Sequence, residues 1–410
     1  MKMLPIIIFF LLILSIEFYS YFGLRASLFS NAKVLYTIFY LLTTALTVFG
    51  ILLMFFSAKA GYATQTYGVN ILFGVAFAFV IVKLIMSSLF LVEDIFRGFL
   101  WLFQTVVKFR GAEYISRSYI FSLVALIFSG LLWFGLNYGV IFGKYNFKVH
   151  TKVVEFENLP PEFDGFRIAQ ISDLHLGTFD KTDMVQKGFD LLQAQNPDII
   201  VFTGDMVNNR AEETVPYIDM VKNLHAPFGK FTILGNHDYG SYIPWKTQAE
   251  KLANIERLIE FERQMGLNLL KNTNVPIVKG TDTIYIAGVE NWGLPPFPQY
   301  GDLDSALSTI TAGDFVVLLS HDPTHWKEKV LNYPKNVALT LSGHTHGMQM
   351  GIEIGNLRWS PVKYKYKDWA DLFEQGGKYL YVNRGFGHIG YPGRLGIWPE
   401  ITIIELRQKK

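Results

Sequence analysis

Four apolar stretches near the N-terminus, Leu4 to Phe22, Val34 to Phe56, Val69 to Val92 and Ile120 to Phe142, set the first limit on how this chain folds. Each approaches the roughly 20 residues that a helix needs to cross a bilayer. Composition agrees, since 50% of the 410 residues are hydrophobic and only 18% charged, too apolar a balance for an ordinary soluble two-domain protein. Residues 1–143 therefore read as a transmembrane region of four helices, followed by a linker over 144–165 and a catalytic domain over 166–407. Lys2 precedes the first apolar run, but no small-x-small cleavage site follows and the run meets Glu17, so an uncleaved helix is expected rather than a signal peptide.

Two ionisable residues fall in or near the spans. Glu17 sits close enough to the end of its span to reach the interface, and Lys83 is expected to snorkel or to pair within the bundle. Glu93 to Glu113 mixes Phe96, Phe99, Trp101 and Phe103 with Arg97, Lys108 and Arg110, the pattern of an interfacial amphipathic helix. With four spans, the loops carrying Arg25, Lys33, Arg97, Lys108, Arg110 and Arg117 share one side, and Lys2, Lys59, Lys144 and Lys148 share the other. The positive-inside tendency then places the catalytic half outside the cytoplasm of a bacterial cell membrane. The absence of cysteine rules out disulfides and thiolate metal sites.

The second half carries five short motifs in a fixed order: Ser172-Asp173-Leu174-His175, Gly204-Asp205, Gly235-Asn236-His237-Asp238, Ser320-His321-Asp322 and Gly343-His344-Thr345-His346. Each follows a short apolar run (Phe166 to Ile171, Ile199 to Phe202, Phe231 to Leu234, Phe315 to Leu319 and Val337 to Leu341), so all five read as carboxyl ends of strands, where α/β sheets place their sites. Any one of these motifs alone is commonly a turn. Two histidines separated by one residue at a strand end have few structural reasons to exist, because a buried imidazole costs free energy unless it is paired.

A dinuclear hydrolytic site needs one carboxylate to bridge two cations, oxygen and imidazole donors to complete each shell, and open positions for water and substrate. Asp205 is the natural bridge. Asp173, His175 and His346 then complete one shell, and Asn236, His321 and His344 the other. His237 is left over as the catalytic acid that protonates a leaving oxygen, with Asp238 beside it to fix its tautomer. Mixed Asp, Asn and His donors suit Mn, Fe or Zn, with manganese the expected ion.

At these residues the sequence resembles the calcineurin-like metallophosphoesterase superfamily, and within it the bacterial YkuE/YaeI-type branch. Asn158-Leu159-Pro160 and Asp164 to Arg167 before the first motif, and Asn383 to Gly387 with Arg394 and Pro399-Glu400 after the last, carry the finer likeness. It runs from about Thr151 to Leu406 and departs at Met348, where a second glycine commonly follows. The resemblance implies a four-layer α/β sandwich, two facing sheets flanked by helices, with two metals at one sheet edge. Helices are expected over Lys181 to Gln195, Thr214 to Leu224 and Gln248 to Gln264. Asn291 to Pro298, with Trp292 and Phe297, and Met350 to Gly377 are the expected walls of a substrate pocket.

A net charge of +2 without a basic stripe argues against nucleic acid as partner, the cluster Arg407, Lys409 and Lys410 reads as a solvated tail, and no phosphate-binding G-x-x-x-x-G-K-S/T loop supports NTP-driven chemistry. Three functions fit. One is a membrane-anchored phosphoesterase acting through a metal-activated hydroxide on a phosphorylated small molecule or lipid. Another is a pyrophosphatase acting on a lipid-linked nucleotide such as UDP-diacylglucosamine. The third is a receptor or scaffold whose metal domain binds without turnover, against which the intact donor set and His237 count.

Overall fold

The structure, a computed structural model, describes residues 3–60, 67–108, 115–355 and 357–409. Lys2, Arg110, Glu113, Lys410 and residues 61–66 after the second span lie outside the described residues. The chain divides into two compact units, one made of the N-terminal helices and one running from Phe142 to Lys410.

The first unit contains α1 (Met3–Ser27), α2 (Lys33–Ala60), α3 (Tyr67–Lys108) and α4 (Tyr119–Ile141). Among the described residues, the spans Lys33–Leu53, Gly68–Val107 and Tyr119–Ile141 are long and apolar enough to cross a membrane. No separate interfacial helix occupies 93–108, because α3 runs through this stretch unbroken for 42 residues, roughly 63 Å at the α-helical rise. Neither glycine nor proline interrupts it there in a way that stops the hydrogen-bond ladder; Gly98 is simply accommodated. Glu17 is buried among the helices rather than turned outward. Its carboxylate takes the Lys83 ammonium at 2.8 Å with both side chains buried, and Thr44 donates to the same carboxylate at 2.6 Å while Lys83 also donates to Thr43 at 3.1 Å. A second polar knot joins Tyr19, Asp94, Glu93 and Arg117, whose guanidinium bonds both acids at 2.6 and 2.8 Å. In a bilayer these groups have no water to turn to, so mutual pairing is the arrangement of lowest cost.

The second unit is built on two six-stranded sheets. The first contains β1 (Lys148–Phe156), β2 (Arg167–Ile171), β3 (Ile199–Phe202), β4 (Lys230–Thr232), β5 (Asn268–Leu269) and β14 (Glu400–Gln408), in the order β1-β14-β2-β3-β4-β5. The second contains β6 (Thr273–Lys279), β7 (Asp282–Gly288), β8 (Val316–Leu319), β9 (Leu339–Ser342), β12 (Asp371–Gln375) and β13 (Lys378–Val382), in the order β12-β13-β9-β8-β7-β6. A hairpin of β10 (Ile352–Ile354) and β11 (Leu357–Trp359) stands apart. Side-chain alternation sorts the apolar residues onto two faces. Ile168, Ile199, Val201 and Ile404 of the first sheet pack against Ile286, Val317, Leu339 and Leu341 of the second. On the outer faces, Ile171, Ile200 and Phe202 meet α5 (Thr182–Gln193) through Val185 and Phe189, and Val316, Leu318 and Leu380 meet Leu307, Trp326 and Val330. This is the expected four-layer sandwich.

Some boundaries differ from the sequence reading. The stretch 144–165 is not a free linker: β1 pairs in parallel with β14 along all nine of its residues and covers an edge that would otherwise be open. Lys144 is also buried in an ion pair with Asp180 at 2.7 Å. Within the helix expected over Thr214 to Leu224, a tight 3-10 stretch (Ala211–Tyr217) holds Pro216, and only α6 (Ile218–Lys222) is α-helical. α7 (Gln248–Gln264) has the expected bounds, capped by Thr247, which accepts from the Glu250 amide. The basic tail is engaged, Arg407 with Glu405 and Lys409 with Glu157.

Candidate metal centre

All five motifs lie in turns beyond strand ends, and in the first, second and fifth the backbone is strained. Among the described residues ten non-glycine residues have positive φ, and five of them are Asp173, His175, Asp205, His344 and His346, with φ between 44° and 69°. Left-handed backbone at such residues costs roughly 1–3 kcal/mol each, so its concentration here marks a site over-determined by its surroundings. Two glycines make the turns feasible. A Cβ on Gly204, at φ 92°, would come within 2.8 Å of His321 Nδ1, and one on Gly343 would collide with the side chains of Ser172 and Asp173. Met348, where the branch commonly has glycine, holds φ 53° without one.

The turns bring two triads together, Asp173 with His175 and His346, and Asp205 with His321 and His344; within each, donor atoms lie within 4.8 Å of one another. His346 Nε2 is 3.1 Å from His175 Nε2 and 3.3 Å from Asp173 Oδ1. His321 Nε2 is 3.2 Å from His344 Nδ1 and 3.2 Å from Asp205 Oδ2. Donors about 2.1 Å from a cation and at right angles stand roughly 3 Å apart, so both triads fit an ion of that size. Asp205 Oδ2 is also 3.6 Å from His175 Nε2, which puts it between the triads as a bridge would be. Asn236 Oδ1 is buried without a hydrogen-bond partner on the same cleft as Asp205, His344 and His346, a further donor awaiting a cation.

Electrostatics favours the same reading. Burial pulls His175 down to about 3 and His344 down to about 4, leaving neutral imidazoles with lone pairs to donate. Burial, with Asp205 adding to it, pushes Asp173 up to about 6. Burial opposes charge on His321, yet the Asp205 carboxylate pushes it up to about 10. Buried carboxylates without enough positive charge of their own are suited to divalent cations. The Thr203 carbonyl accepts from His321 Nδ1 at 2.7 Å and so leaves Nε2 facing the triad.

His237 and Asp238 part company. The His237 amide donates to Asp205 Oδ1 at 2.8 Å, and its ring Nδ1 donates to the Asn208 carbonyl at 2.8 Å, so Nε2 remains for the cleft. Asp238 does not orient that ring, contrary to the sequence reading. Its side chain turns inward and accepts from the amides of Asp205 and Gly235 at 2.8 Å and of Val207 at 3.2 Å, tying the second and third motif loops together.

The cleft, about 420 Å³, is lined by Asp205, Asn236, His237, His344 and His346 together with Tyr242, Phe297, Lys365, Tyr366 and Ile389. Phe297, Lys365 and Tyr366 lie in the two expected walls, whereas Trp292 is buried with its ring 5.0 Å from that of His325 and faces the core. Tyr242, stacked on His237 at 4.3 Å, had no signal beyond its closeness to the third motif.

Comparison with known proteins agrees. A family model described as calcineurin-like phosphoesterase matches residues 166–348, and one described as a probable calcineurin-like phosphoesterase transmembrane domain matches residues 2–144. The chain is 32% identical over 254 residues to an uncharacterized metallophosphoesterase, YkuE, of Bacillus subtilis, covering 61% of this chain and 82% of that one. It is 27% identical over 301 residues to a transmembrane protein with metallophosphoesterase domain of Danio rerio, covering 72% of this chain and 64% of that one. It is 28% identical over 278 residues to UDP-2,3-diacylglucosamine pyrophosphatase LpxG of Chlamydia trachomatis, covering 56% of this chain and 81% of that one. The motif loops, the paired triads and these matches converge, and the chain belongs to the calcineurin-like metallophosphoesterases as a membrane-associated hydrolase.

Proposed function

We propose that this chain is a membrane-anchored phosphoesterase with a dinuclear centre in which Asp173, His175 and His346 hold one divalent cation, Asn236, His321 and His344 hold the other, and Asp205 bridges them. The observation that carries it is the position of Asp205 Oδ2, 3.2 Å from His321 and 3.6 Å from His175. Held by these residues, two divalent cations would supply Lewis acidity, activating a water at neutral pH and offsetting charge on the phosphate oxygens. The chain's own groups do the rest. Asp205 is fixed by the His237 amide, and His237, anchored through Nδ1 to Asn208, presents Nε2 to protonate the leaving oxygen. Manganese is the proposed ion, with Fe and Zn compatible with the same donors. Detergent-purified protein should bind two metals per chain and release product from phosphate monoesters or diesters only with metal added. Two bound metals and no hydrolysis across monoesters, diesters and lipid pyrophosphates would favour a non-catalytic receptor instead.

A second reading, a pyrophosphatase acting on a lipid-linked nucleotide, is supported by the likeness to the chlamydial enzyme and by the aromatic wall of Tyr242, Phe297 and Tyr366. UDP-diacylglucosamine in mixed micelles, assayed beside a diester, separates the two by relative kcat/KM. The loop charges support a catalytic unit outside the cytoplasm. Protease added to intact cells, or to spheroplasts where an outer membrane is present, should digest the region after Phe142, and full protection until lysis would reverse the orientation.

A further inference from the structure

Two tyrosines in the cleft each meet a candidate metal ligand through the phenol oxygen. Tyr242 Oη accepts from Asn236 Nδ2 at 2.8 Å, and Tyr366 Oη lies 2.9 Å from His344 Nε2. His344 turns Nδ1 toward His321 at 3.2 Å, the side on which the second cation would sit; with Nδ1 given to that cation, Nε2 would carry the ring proton and donate it to Tyr366. A phenol that accepts in this way still has its own proton to give. Among the described residues the Tyr242 hydroxyl donates to no protein group, the Tyr366 hydroxyl would be equally free to donate with His344 in that tautomer, and both tyrosines line the cleft beside Asp205 and His237. Each is held in place: Tyr242 stacks on the His237 ring, and Tyr366 is buried with its amide bonded to the Val362 carbonyl at 2.8 Å. The Lys365 ammonium, 5.2 Å from the Tyr366 ring, adds positive charge to that wall.

We propose that Tyr242 and Tyr366 are substrate-contacting residues whose hydroxyls donate to the non-bridging oxygens of the phosphate group, Tyr242 from the Asn236 side of the centre and Tyr366 from the His344 side. This rests on the two-metal reading. It adds to it two neutral donors, aimed by the metal ligands themselves, that would recognise a tetrahedral phosphate without changing the charge of the site.

The test uses the full chain in detergent, loaded with Mn²⁺, with metal content measured and inorganic phosphate titrated calorimetrically against the protein and against Tyr242→Phe and Tyr366→Phe. Phenylalanine keeps the ring and removes the hydroxyl. Each variant should retain two metals while its phosphate affinity falls about tenfold. Tyr242, 51% exposed, provides a variant that folds even if the buried Tyr366 does not tolerate the change. Two metals and unchanged phosphate affinity in the folded variants would overturn the inference alone. Loss of metal on removal of either hydroxyl would make that tyrosine a support for its ligand and overturn it as well. A wild-type chain that binds no metal would remove the two-metal reading first, and this one with it.

Discussion

The carboxylate of Asp238 accepts a 2.8 Å hydrogen bond from the backbone amide of Asp205, so the aspartate beside His237 acts on the loop that carries the proposed bridging residue. With Gly235 and Val207 it satisfies three buried amides. Asp238→Ala should therefore destabilise the catalytic unit by about 3 kcal/mol or more and weaken metal binding. Denaturant unfolding and metal analysis check this. Full stability and metal content with only a turnover defect would return Asp238 to the role of orienting His237.

Glu17 and Lys83 form a buried pair joining α1 to α3. Lys83→Met leaves the Glu17 carboxylate with the Thr44 hydroxyl but no counter-charge and should cost about 3–5 kcal/mol, whereas Glu17→Leu combined with Lys83→Met should recover most of the loss. Thermal stability and hydrogen exchange of the two helices in detergent distinguish these outcomes. Equal tolerance of single and double variants would mean that the pair carries no structural weight.

Glu400, fully buried, provides a pH dependence. Burial alone would raise its pKa, but Arg384 at 2.6 Å and the hydroxyls of Thr402 and Tyr381 hold it down to about 2. The unfolded chain, with an ordinary value of about 4.3, binds this proton first. The contribution is thus complete above that value and is lost as pH falls toward 2. Urea midpoints of the protein and of Glu400→Gln should converge across this window; parallel curves would contradict it.

Much of this site was legible because its signals are local. A strand end followed by a metal-donor residue recurs five times, three times with a glycine at the turn. β1 was less legible: Lys148-Val-His-Thr-Lys-Val-Val-Glu-Phe alternates weakly, and its partner β14 lies some 250 residues on. Asp238 shows the same limit, since adjacency to His237 says nothing of which way a side chain turns after a tight loop. Tyr242 sits only six residues beyond Asn236, but nothing in the spacing says that its ring turns back onto His237, and Tyr366 meets His344 across 22 residues. Lys83 could be expected to pair, but its choice of Glu17 depended on how α1 and α3 pack.

His237 is expected to separate metal binding from proton transfer. Its ring faces the cleft yet belongs to neither triad, so His237→Ala should keep both metals while slowing release of a high-pKa alkoxide by about a hundredfold or more and of p-nitrophenolate much less. Steady-state kinetics on the two substrates decide it. Equal losses would make His237 a contact to phosphate or to the nucleophilic water.

Metal stoichiometry decides whether Asp205 joins the two sites. Asp205→Asn, analysed by elemental mass spectrometry beside wild type and His346→Ala, should lose metal from both sites together with activity, while His346→Ala should keep the other metal partly bound. Asp205→Asn carrying two metals at full occupancy would contradict the account.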